Sequence, residues 1–149
     1  MMKQLNLPLS FISNSPEDTK EFAKEIAKQI SSGDVLCLDG DLGAGKTTFS
    51  KAFISTLAKC SEDEVQSPTF IYLNIYSSEL VRICHFDLYR IESDASFEEL
   101  GFLDYFDKDH ICLVEWPCKL KNHIPKNSYL LEITYLGETK RQLTFKKVQ

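Results

Sequence analysis

LCLDGDLGAGKTTF, residues Leu36 to Phe49, runs from a short apolar segment through three glycines into Lys46-Thr47. The apolar segment reads as a buried strand. The residues from Lys46 onward read as a helix with Phe49, Ala52, Phe53 and Leu57 on one side. Between them, Gly40 to Thr47 fits G-x-x-x-x-G-K-[ST], the P-loop. Glycines there let backbone N–H groups curl around phosphate oxygens, and the helix that follows offers its N-terminal dipole. Lys46 has the reach for β- and γ-phosphates, and the Thr47 hydroxyl suits magnesium. Leu42, Gly43, Ala44, Gly45, Lys46 and Thr47 are therefore the expected phosphate cradle. A merely flexible glycine turn would explain neither the Lys-Thr pair nor the strand before it.

Outward from this stretch, the pattern is that of an α/β domain. Leu9 to Ser13 reads as a strand. A helix follows with Ser15 as N-cap and Pro16 at its first position, carries Phe22, Ala23, Ile26, Ala27 and Ile30 at helical spacing, and is expected to end at Gly33. TFIYLNIY (residues 69–76) and VRICHFDLY (81–89) read as strands joined by a hairpin connection, and SDASFEELGFLDYF as helical or irregular. HICLVEW is a further buried strand stopped by Pro117, and the tail forms two strands around Gly137-Glu138. The expectation is a P-loop NTPase-like three-layer α/β sandwich. Its sheet mixes parallel crossovers with antiparallel hairpins, and residues 1–149 form a single domain.

Composition narrows the function classes. With 149 residues, 43% of them hydrophobic, the chain suits one domain with a real core. A net charge of −5 argues against gripping nucleic acid by bulk electrostatics. The five cysteines show no CxxC pair or zinc-ligand spacing, so reduced thiols in the cytoplasm are expected. The opening MMKQLNLPLS lacks the apolar core of a leader, and no run approaches the ~20 apolar residues of a membrane span.

Hydrolysis needs more than a cradle. Two apolar strands end in acids, RICHFD at Asp87 and ICLVE at Glu115. Such acids are expensive to bury unless they meet a cation, so both are candidates to hold magnesium or orient water. The alternative is a structural ion pair or an exposed strand end. SPTF (residues 67–70) places Thr69 either as a switch residue sensing the γ-phosphate or in a turn that opens a strand. Trp116, the single tryptophan, is either a core anchor or a partner contact. His85, His110 and His123 lie too far apart for a ligand motif and read as ordinary residues.

GDLGAGKTTF, SPTF, HFDLYR, LVEWP and the late pair Lys140-Arg141, in this order, resemble the TsaE family, also called YjeE. The likeness runs from the P-loop strand to the terminal hairpin. It implies the ATPase component of bacterial tRNA threonylcarbamoyladenosine synthesis, acting with the TsaD and TsaB proteins and touching tRNA only indirectly. It also implies ATP and magnesium, with Thr47 and Glu115 on the metal, and Asp87 and Thr69 serving hydrolysis beside Lys46. Thr48 becomes a further phosphate contact, Arg141 or Lys140 a neighbour of the adenine, and Trp116 a residue needed for activity or partner contact. Which carboxylate touches the metal stays open, because the last acid of the LVE strand is Glu115 rather than an Asp.

Two other classes compete. A small-molecule P-loop kinase usually wants several arginines for its two phosphate-bearing substrates, and this chain has Arg82, Arg90 and Arg141 alone. A GTP-dependent switch would want an N-K-x-D motif for guanine, which the chain lacks. The same scarcity of arginine predicts weak hydrolysis without partners, since a phosphoryl-transfer site needs positive charge at the γ-phosphate.

Overall fold

The computed structural model describes residues 6–41 and 43–148; Leu42 of the expected cradle and the first five residues lie outside this range. One seven-stranded sheet runs in the order β1-β7-β6-β2-β5-β4-β3. Its strands are β1 (Leu9–Ser13), β2 (Val35–Gly40), β3 (Leu73–Ser77), β4 (Arg82–Asp87), β5 (Ile111–Glu115), β6 (Tyr129–Tyr135) and β7 (Arg141–Lys147). Strand β2 pairs in parallel with both β5 and β6, and β5 in parallel with β4. The β3–β4, β6–β7 and β1–β7 pairs are antiparallel, so the mixed sheet is as expected from the sequence.

Side-chain alternation along the strands builds two cores. Leu36 and Leu38 of β2, Ile83 of β4, and Ile111 and Leu113 of β5 pack under helices α1 (Pro16–Ala27) and α2 (Lys46–Ala58). Their alternates Cys37, Cys84, Phe86, Cys112 and Val114 face the other side, under helix α3 (Asp94–Glu99) and the 3-10 turns Phe102–Tyr105 and Pro117–Leu120. The result is three layers. Phe86 sits in an aromatic box, with ring centroids of Phe97, Phe102, Phe106 and Tyr105 at 5.4, 5.5, 5.9 and 6.3 Å. Because strand side chains alternate, fixing Phe86 on that face aims Asp87 at the opposite one, toward α2. The cysteines are free thiols; burial pushes Cys37 up to about 12, and Cys37, Cys84 and Cys112 are all buried in the cores as small side chains.

Two boundaries differ from the sequence reading. Helix α1 stops at Ala27, and Ile30 is buried beyond its end. The N–H groups of Gln29 and Ile30 bond the carbonyls of Ile26 and Ala27, three residues back, and Ser31 N–H closes on the Asp34 carboxylate. Strand β3 starts at Leu73 rather than Thr69. Residues 68–72 form a turn in which Ile71 and Tyr72 N–H both donate to the Pro68 carbonyl, and Tyr72 takes a φ of 68°. The turn carries Ser67 and Thr69 onto the end of β4, which an extended strand would not do.

Candidate active site

The parallel strands β2, β4 and β5 deliver their C-terminal ends to one crevice, the usual ligand position in such sheets. At the end of β2, Gly40 approaches its neighbours so closely that a Cβ there would lie 2.9 Å from the Ile133 carbonyl oxygen. Gly45 caps α2 with a φ of 108°, in the left-handed region that favours glycine, and a Cβ at Gly45 would point into open space. Helix α2 has no side-chain cap and no acid in its first turn, so its N-terminal N–H groups are left for an anion.

Lys46 is buried, its ammonium donating to the Gly40 carbonyl and lying 3.6 Å above the Trp116 ring. Burial holds the Lys46 pKa below its ordinary value, opposed by the pull of Glu115, Asp87, Asp39 and Asp41. A lysine disfavoured in its charged form by burial gains from any anion that reaches it. Trp116 adopts a left-handed backbone at the end of β5 and packs on Tyr89, with centroids 5.0 Å apart.

Asp87 and Glu115 are register partners on adjacent strands, 7% and 5% exposed, so the two acids share one wall. Asp87 is held through both oxygens. Its Oδ2 accepts from Thr69 Oγ1 at 3.1 Å and from Ser67 Oγ at 3.3 Å, and its Oδ1 accepts from the Tyr89 N–H at 3.1 Å. Glu115 is held through one oxygen, Oε2, by His85 Nε2 at 2.7 Å. Its Oε1 bonds no described residue.

A cavity of about 370 Å³ is lined by Gly43, Gly45, Lys46, Thr47, Thr48, Ser67, Thr69, Asp87, Glu115 and Trp116. Nearly every candidate from the sequence therefore meets at one place, including Trp116. A second hollow of about 160 Å³ continues past Gly45 and Thr48 to Ser15, Pro16, Thr19, Glu138, Thr139 and Arg141. Arg141 also braces the cradle, donating from Nε to the Ala44 carbonyl at 3.0 Å and from Nη1 to that of Gly137 at 2.7 Å. The residues suit a hard cation: a threonine hydroxyl and two carboxylates, all oxygen donors, beside the glycine loop. His85 is the residue that sequence spacing missed, because its place beside Glu115 is set by sheet register rather than by a local motif.

The profile of a protein family described as threonylcarbamoyl adenosine biosynthesis protein TsaE matches residues 13–143. The chain belongs to the TsaE family. It is 40% identical over 134 residues to the tRNA threonylcarbamoyladenosine biosynthesis protein TsaE of Bacillus subtilis, covering 90% of this chain and 82% of that one. With the protein of the same description from Aquifex aeolicus it shares 38% identity over 137 residues, 89% of this chain and 91% of the other. The fold resembles the crystal structure of Bacillus subtilis YdiB with a TM-score of 0.77 and 32% identity, across 99% of this chain and 90% of that one. The matched range spans all five sequence blocks, and residues of four of them line the cavity: the P-loop, SPTF, HFDLYR and LVEWP.

Proposed function

We propose that this protein is a magnesium-dependent ATPase of tRNA threonylcarbamoyladenosine synthesis, working in the cytoplasm with TsaD and TsaB and meeting tRNA only through them. The observation that carries the reading is the convergence of Lys46, Thr47, Thr69, Asp87 and Glu115 on one cavity at the mouth of a P-loop. Family membership supplies the pathway.

The N–H groups from Gly43 to Thr48 would hold the triphosphate, and the hollow lined by Ser15, Pro16, Thr19 and Arg141 would take the base. Lys46 exchanges the Gly40 carbonyl and the Trp116 face for phosphate oxygens. Thr47 and Glu115 are the residues that would hold magnesium, which when bound would supply positive charge beside the phosphates. Asp87 has both oxygens engaged by protein donors. It acts with Thr69 to orient the attacking water and takes its proton as ATP is cleaved to ADP and phosphate.

No arginine is among the residues that line the cavity of about 370 Å³. Arg141 is tied to Ala44 and Gly137, Arg90 lies over the Phe70 ring at 4.6 Å, and Arg82 begins β4, at the far end from Asp87. A partner would therefore supply the missing charge or order the Ser67–Phe70 turn. Hydrolysis assays of the protein alone and with TsaD and TsaB test this, with product analysis for free phosphate. The expected outcome is a rate per molecule at least ~1,000-fold higher in the assembly, the lower end of the range arginine fingers supply. An equal rate in both refutes partner activation, and a phosphorylated small molecule in place of phosphate refutes the ATPase.

A further inference from the structure

His85 and Ser50 are buried polar residues that the mechanism above does not use. His85 stands on β4 two residues before Asp87, on the same face, 2% exposed. Its Nε2 lies 2.7 Å from Glu115 Oε2. Ser50 stands on α2 one turn beyond Thr47, also 2% exposed. Among the described residues, His85 Nδ1 and Ser50 Oγ have no hydrogen-bond partner. Both residues line one cavity of about 10 Å³, together with Thr47, Lys51, Val65, Gln66, Ser67 and Glu115. That volume is about one water, and buried water typically settles where polar groups would otherwise go unsatisfied.

We propose that His85 is a positioning residue for Glu115: its Nε2–H holds one carboxylate oxygen, and a water shared with Ser50 Oγ occupies its Nδ1. The assignment rests on the ATPase reading, because it gives Glu115 a metal to hold. A carboxylate only accepts, so Nε2 must carry the proton of this bond, and in the Nε2–H tautomer Nδ1 is an acceptor. The Ser50–water–His85 chain supplies the donor that Nδ1 needs. With Oε2 pinned, the carboxylate cannot rotate, and Oε1 is presented toward the cavity that Thr47 shares. Ser50 and Thr47 lie one turn apart on α2, so the same helix anchors the hydroxyl ligand and, through His85, the acidic one.

Two measurements test the proposal. Nitrogen-15 NMR of the histidine rings in the wild-type protein should show His85 as the Nε2–H tautomer, with Nδ1 as the acceptor. An Nδ1–H tautomer overturns the proposal without any variant. The second measurement is manganese binding to the complex with a non-hydrolysable ATP analogue, followed by electron paramagnetic resonance. His85→Leu should weaken manganese about 10- to 100-fold, as loss of a partner behind a metal ligand usually does, while metal-free nucleotide binding is unchanged. His85→Gln, which keeps an N–H at similar reach, should recover most of that loss. Equal manganese affinity in wild type and a folded His85→Leu overturns the assignment, as does an equal loss in both variants. Failure of the wild-type protein itself to bind nucleotide and manganese would instead refute the ATPase reading.

Discussion

Replacing Asp87 with Asn separates the catalytic from the structural role of that acid. Asp87 accepts three hydrogen bonds, two of them from the Ser67 and Thr69 hydroxyls on Oδ2. Asparagine keeps the shape and one acceptor oxygen, which can stay on the Tyr89 N–H; both hydroxyls can turn to accept from the new amide. What is lost is the charge assistance, since bonds to charged groups contribute ~1.5–3 kcal/mol against ~0.5–1.5 for neutral ones. Ser67 is exposed and Thr69 half-buried, which discounts the two hydroxyl bonds. The net cost is then about 1–2 kcal/mol, or roughly 2–8 °C in Tm for a domain of this size. Lys46 also loses one of the carboxylates that oppose its downward pKa shift, so its charged form is further disfavoured. Turnover should fall far more, by ~100- to 10,000-fold, if Asp87 takes the proton from water. The assay is single-turnover phosphate release in the assembly with TsaD and TsaB, alongside a thermal melt of the variant. Wild-type turnover by Asp87→Asn refutes the mechanism and leaves Asp87 as a clamp on the Ser67–Phe70 turn.

Other outcomes follow from the same geometry. The Trp116 ring covers the Lys46 ammonium, a contact of about 0.5–2 kcal/mol. Its fluorescence should change when nucleotide draws Lys46 away, and Trp116→Ala should keep nucleotide binding but lose stimulation by TsaD and TsaB. An unchanged emission at saturating ATP would contradict this. Phe86→Ala empties the aromatic box behind Asp87, at ~3–5 kcal/mol. Calorimetric melting should show a Tm lower by roughly 6–20 °C, and a shift under 2 °C would mean the box does not anchor β4.

The P-loop, both acids and the mixed sheet were legible because each rests on local signals. Apolar runs ending in Asp87 and Glu115, a glycine turn and helix spacing all read from neighbouring residues. The turn at SPTF was legible only as one of two alternatives and its extent to Tyr72 was not, because the Asp87 carboxylate that holds Ser67 and Thr69 lies 20 and 18 residues further along the chain. Hydrophobic, β-branched residues there carry strand propensity, which that tertiary contact overrides. Arg141 was tied to the nucleotide by resemblance, but its bond to the Ala44 carbonyl spans 97 residues and follows from the β6–β7 hairpin lying beside β2. His85 reads as one more residue of a buried strand, and only the parallel register of β4 and β5 brings it to Glu115.

The central claim, that the crevice above β2 is a MgATP site built on Lys46, is tested most directly by calorimetric titration of wild-type protein and Lys46→Ala with MgATP. The charge-assisted contact contributes ~1.5–3 kcal/mol, so Lys46→Ala should bind roughly 10- to 150-fold more weakly while melting as a folded protein. Full-strength MgATP binding by folded Lys46→Ala would contradict it.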